Sequence, residues 1–161
     1  TNIFSAAVSG AGIANLITMY GTLTPAFANT FESRHFEVSQ ERMNVPPWKD
    51  IEGYLRNSAI PNIENMQTPL LVEVGDADRN VNWRQSIEMY NAARRAKKEL
   101  VMLVYANEGH GLRQKKNRMD YQKRILEWFG HYLKGDPAKP WIKQNLEYSE
   151  QQDLLKQRKL E

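Results

Sequence analysis

Two short apolar runs, PLLVEVG (69–75) and ELVMLVYA (99–106), stand one crossover apart in this chain. Each ends in turn-forming residues, and each reads as a strand. Between them, NWRQSIEMYNAARRAKK (82–98) carries Trp83, Ile87, Tyr90 and Ala93 or Arg94 along one stripe, the period of an amphipathic helix. Strand, helix, strand in that order predicts a parallel pair joined by a right-handed crossover. The apolar run at 69–75, bounded by Pro69 and Gly75, predicts a strand covered on both faces.

The flanking segments extend this pattern. FSAAVSGAG (4–12) predicts a buried strand running into a tight turn. IANLITMYG (13–21) predicts a helix with Ile13, Ile17 and Tyr20 on one face and Gly21 as its stop. NRMDYQKRILEWFGHYLKG (117–135) predicts a long amphipathic helix whose apolar side is Met119, Ile125, Leu126, Phe129 and Leu133, ended by Gly135. Residues 22–67, rich in Pro and Asn, read as irregular apart from a helical piece at Ile51–Arg56. An excursion of that length in a compact domain points to a functional loop region over the active site. The expected fold class is α/β, parallel strands with flanking helices, over residues 1–140. A polar tail, 141–161, follows, with a short final helix.

Composition narrows the partners. The 22 basic and 19 acidic residues are spread along the chain and leave a net charge of +3, too little to argue for nucleic acid. The longest basic cluster, RQKKNR (113–118), reads as the solvated start of the helix that follows it. Cysteine is absent, which excludes disulfides, thiolate catalysis and Cys-ligated zinc. The three histidines, His35, His110 and His131, lack ligand spacing, so no metal and no cofactor is expected. His131 reads as a surface residue of its helix, and His35 has no partner in view. Trp48, Tyr54 and Trp83, as isolated aromatics, read as core. No apolar run approaches the roughly 20 residues of a membrane span, and residues 1–20 carry no basic region of a signal peptide.

Ligands of parallel α/β sheets gather at the carboxyl ends of the strands. Two loops stand there: GDADRNV after the first run and NEGHG after the second. If the strands are neighbours, an aspartate of one loop reaches His110 in the other. Asp and His on successive strand ends form two-thirds of a nucleophilic triad, in which His takes the proton of a serine and Asp fixes its tautomer. Asp78 precedes His110 by 32 residues, room for one crossover. Glu108 reads as a solvated loop carboxylate, and the glycines at 109 and 111 as the means by which the backbone turns tightly around His110.

The segment from TPLL (68–71) through GDADRNV, EGHG and WFGHYLKG (128–135) resembles the end of the catalytic domain of the prolyl oligopeptidase family of serine peptidases. AAVSGAGIANLITMYG (6–21) and PPW (46–48) fit the same family, and the likeness runs to about Pro140. It implies an α/β-hydrolase fold with Asp78 as triad acid, in preference to Asp76, and His110 as triad base. It also implies that Asn80 and Val81 help to shape the substrate pocket.

The family's GxSxGG nucleophile elbow does not occur in these 161 residues. Ser9, in VSGAG, reads as a strand serine. The chain therefore reads as the C-terminal part of such a domain, without the N-terminal strands, the elbow or a β-propeller. The expected function is a serine-type peptidase acting on short peptides, with this chain supplying Asp and His and inactive alone. An esterase of the same fold, or a non-catalytic binding or assembly piece, are the alternatives. Half of a doubly wound sheet would expose a strand edge, so association is expected: with the missing half, with a second copy, or by strand exchange.

Overall fold

The computed structural model describes residues 3–25 and 30–143 of the chain. The predicted tail beyond 143 lies outside the described residues. Three strands form a parallel sheet: β1 (Ala7–Gly10), β4 (Leu70–Gly75) and β5 (Leu100–Tyr105), in the order β1-β4-β5. The register sets Gly10 beside Glu73, and Gly75 beside Tyr105. β4 is central and buried from Leu71 to Gly75, as its sequence predicts. β5 is less buried than its apolar sequence suggests. Like β1 it is an outer strand of this three-stranded sheet, and Val104 is 38% exposed.

Helix α5 (Lys115–Lys134) lies across the face formed by Leu71, Val101 and Leu103. Trp128 is its anchor. It is fully buried, clusters with Leu71 and Ile142, and rests against Tyr132 and Trp141. Of the five predicted core residues of this helix, Ile125 and Phe129 pack against that cluster. Met119, Leu126 and Leu133 do not: they stand seven residues apart on the outer face, 59%, 74% and 58% exposed. Gly135 ends the helix in the left-handed conformation, φ 76°, as a C-terminal glycine should. Helix α4 (Arg84–Arg95) completes the β4-α4-β5 crossover and packs on β5. A short helix, α6 (Pro140–Lys143), brings Ile142 onto Trp128.

The excursion, together with the helix just before it, is more ordered than its composition suggests. Helix α1 (Leu16–Tyr20) starts later than predicted, because the Asn15 side chain caps it by accepting from the amides of Ile17 and Thr18. Two-residue strands β2 (Leu23–Thr24) and β3 (Thr30–Phe31) pair antiparallel. Helices α2 (Ser33–Val38) and α3 (Ile51–Arg56) and a 3₁₀ turn (Ile60–Asn65) follow. These pieces share a small core in which Met19, Phe36 and Tyr54 are fully buried. Phe36 and Tyr54 stack 5.9 Å apart, and the Tyr20 ring meets both edge-on. Tyr54 is thus core as predicted, whereas Trp48 is 73% exposed and meets the Tyr20 ring edge-on.

Candidate active site

The stretch just before the excursion, from Ala14 into helix α1, is fastened to α4. Gln85, at the first turn of α4, is buried. Its side-chain oxygen accepts from the amides of Ala14 (3.1 Å) and Asn15 (2.8 Å), and its nitrogen donates to the Thr18 hydroxyl (2.9 Å). Val81 packs into the excursion's core. The loop that leaves β4 therefore runs directly beneath the excursion.

That loop carries Asp78, whose side chain is wholly buried. Its Oδ1 accepts from the backbone amides of Asn80 (2.8 Å) and Val81 (3.2 Å), an Asx turn that fixes the carboxyl group. Its Oδ2 lies 3.0 Å from Nδ1 of His110, on the loop after β5. The His110 side chain is 47% exposed. With Nδ1 turned to a carboxyl group, the neutral ring carries its proton there and leaves Nε2 as an acceptor. Asp76 is not the partner of His110. Its Oδ1 accepts from the Asn107 amide (2.6 Å), which ties the two loops together.

A cavity of about 330 Å³ opens beside the imidazole. Asn80, Val81 and His110 line one side of it, and Glu32, His35 and Glu41 of the excursion line another. Glu32 is buried and accepts from the Thr24 hydroxyl. His35, expected to have no partner, stands on α2 and does have an interaction of its own. Ala11, between two glycines, adopts the left-handed φ of 47° at the cavity wall, so the tight turn after β1 falls on an alanine. Ser9 is part of β1, with Oγ beside Gly12.

Two features of the His110 loop differ from expectation. Glu108 is not solvated: it is 2% exposed. Its carboxylate accepts from the amides of Arg113 (2.7 Å) and Gln114 (3.0 Å) and from Nδ2 of Asn117 (2.7 Å). Burial pushes its pKa up, and these hydrogen bonds together outweigh burial, holding it below the ordinary glutamate value. Nor do the glycines flanking His110 supply a left-handed turn. Asn107 does so, at φ 60°, and a Cβ on Gly109 or Gly111 would meet nothing within 4 Å. The indispensable glycine is Gly75, at the end of β4, where a Cβ would stand 2.2 Å from the Glu108 carbonyl oxygen. That carbonyl accepts from the Ala77 amide (2.9 Å), so the two loops touch backbone to backbone over Gly75.

A second buried carboxyl group lies beneath the strand ends. Glu73 of β4 is 5% exposed, and its Oε1 has no hydrogen-bond partner among the described residues. Burial first and Asp78 next push its pKa up; His110 pulls it down, and Glu108 adds the smallest push upward. Among the described residues no cluster of carboxylates and histidines is arranged to hold a metal ion, and no helix is long and apolar enough to cross a membrane.

The sequence profile of the prolyl oligopeptidase family matches residues 1–136. The acylamino-acid-releasing enzyme of Mus musculus is 25% identical over 130 residues, covering 81% of this chain and 17% of that protein. Dipeptidyl-peptidase 5 of Porphyromonas gingivalis is 26% identical over 137 residues, covering 81% of this chain and 18% of that protein. The structure of a puromycin-hydrolyzing peptidase from Mycobacterium tuberculosis superposes with a TM-score of 0.70 at 24% identity, over 83% of this chain and 19% of that one. The chain thus spans less than a fifth of the length of these relatives, and its parallel sheet with flanking helices is part of their α/β-hydrolase fold.

Proposed function

The chain belongs to the prolyl oligopeptidase family, and we propose that it carries the acid and the base of a Ser-Asp-His triad in a serine peptidase acting on short peptides. The observation that carries this reading is the 3.0 Å contact between His110 Nδ1 and a buried Asp78 whose other oxygen is already held by two backbone amides. Such a carboxyl group has one free direction, and it points at the imidazole.

The serine lies outside these 161 residues, which contain no Gly-x-Ser-x-Gly elbow. Its Oγ attacks the peptide carbonyl carbon while His110 Nε2 takes the hydroxyl proton. Asp78 accepts the Nδ1–H bond throughout and stabilises the imidazolium. His110 then passes the proton to the leaving amine as the C–N bond breaks. Water, deprotonated by the same Nε2, attacks the acyl carbon, and as the bond to Oγ breaks the proton passes from Nε2 to the serine oxygen. The cavity beside His110, with Asn80 and Val81 in its wall, receives the substrate side chain next to the cleaved bond. The rest of the catalytic domain is the partner of this chain and docks at the open edge of β1, so the chain alone does not catalyse the reaction.

The test is fluorophosphonate labelling read by intact mass, on this chain, on the full-length gene product and on its His110→Ala variant. The full-length protein should take one label on a serine outside residues 1–161, this chain none, and the variant should label orders of magnitude more slowly. Equal labelling rates for the variant and the parent, or a label on this chain, would overturn the reading.

A further inference from the structure

We propose that Glu108 is a positioning residue for His110, a role that rests on His110 being the catalytic base. Its carboxylate closes the loop that holds the histidine. Glu108 stands two residues before His110, and it grips Arg113 and Gln114, three and four residues after, together with the Asn117 side chain on the first turn of α5. Its own carbonyl is held by Ala77 of the Asp78 loop. One residue therefore ties the histidine loop to the aspartate loop, to its own exit and to the helix that follows. With both ends fixed, the backbone at 109–112 has little freedom, although Gly109 and Gly111 give it no packing of their own.

The chemistry of the site calls for a carboxylate. Three donors converge on it, and an ionised carboxylate is acceptor-only with room for all of them. Glutamine offers one acceptor oxygen and would turn an amide NH₂ toward a backbone N–H. The charge is tolerated in a buried place because each hydrogen bond to it is charge-assisted.

The experiment is a double-mutant cycle in the full-length protein, with hydrolysis of a p-nitrophenyl ester as readout. This activated substrate keeps the residual rate of the His110→Ala variant measurable. Glu108→Gln should lower kcat on the order of 10- to 100-fold while KM stays within about twofold. The same substitution in the His110→Ala background should leave the residual rate unchanged, because its effect passes through the imidazole. Asn117→Ala, which removes one of the three donors, should lower kcat less and obey the same rule, and it decides the matter if Glu108→Gln fails to fold. The proposal is overturned if kcat holds in the folded variant, or if the loss is equal in both backgrounds, which would mean a structural role alone. A His110→Ala variant with parental kcat would instead sink the reading of His110 as base.

Discussion

Replacing Gly75 by alanine adds one carbon atom and should disable the site without touching a reacting group. The Cβ would stand 2.2 Å from the Glu108 carbonyl oxygen, 2.5 Å from its carbon and 2.5 Å from the Gly109 oxygen. All three are backbone atoms, so no side chain can rotate away. Against an ordinary contact of at least 3.4 Å, the histidine loop must retreat by about 1 Å. The Ala77-to-Glu108 hydrogen bond opens with it, and so does the 3.0 Å contact between His110 and Asp78. A misplacement of about 1 Å costs on the order of 10²-fold in rate, or ~2.7 kcal/mol in the barrier. Overpacking strain should cost about 1–3 kcal/mol of stability, which lowers Tm by roughly 2–10 °C for a domain of this class. The assay is ester hydrolysis and fluorophosphonate labelling of the full-length protein, beside a thermal melt. Gly109→Ala is the comparison, since a Cβ there meets nothing within 4 Å although it is next to His110. A folded Gly75→Ala protein with the parental rate would refute the reasoning, and so would an equal loss in Gly109→Ala.

Asp78→Asn should keep the fold but lower kcat by about 10³- to 10⁴-fold, because an amide no longer enforces the tautomer that leaves Nε2 unprotonated; a loss below about tenfold in ester hydrolysis would count against Asp78 as the acid. Glu73→Gln should stabilise the protein at alkaline pH and not at acid pH. The Glu73 pKa is raised in the fold by burial first and by Asp78 next, so its contribution is intact below the ordinary glutamate range and is lost as pH rises through the raised value. Urea denaturation from pH 4 to pH 8 reads this difference directly, and a pH-independent effect of the substitution would contradict it. Trp128→Ala should cost about 3–5 kcal/mol in the same denaturation experiment, because the ring is fully buried between Leu71 and Ile142.

The parts of the fold legible in the sequence are those where one face or period decides the structure. β4 is covered on both sides, so its run is apolar apart from Glu73, and the helix after it is amphipathic because one side meets the sheet. The meeting of Asp78 with His110 was readable because adjacent parallel strands deliver their following loops to the same edge. The outward face of α5 was not readable. Met119, Leu126 and Leu133 repeat every seven residues as regularly as a core stripe would, and only the position of Trp128 against Leu71 tells the two faces apart. The excursion hid its order for a related reason. Met19, Phe36 and Tyr54 come from three short helices with no shared period, so the core they build leaves no local signature.

Glu108 and Glu73 show why the polar side of the site was the least readable. Both are glutamates nearly sealed from solvent within reach of the same Asp-His pair, at 2% and 5% exposure. Burial raises the pKa of each, yet the net shifts run in opposite directions. The difference is the number of donors. Glu108 collects three from Arg113, Gln114 and Asn117, all of which follow it in sequence and reach it only because the chain doubles back into α5. Glu73 sits mid-strand, where the backbone amides are already paired across the sheet and none is free to serve a side chain. A carboxylate in a loop before a helix can recruit the helix's unpaired amides; one in a central strand cannot. The same residue type therefore supplies a fixed negative charge at one position near the dyad and a group that resists ionisation at another. Exchanging their environments would require moving the start of α5, not changing either glutamate.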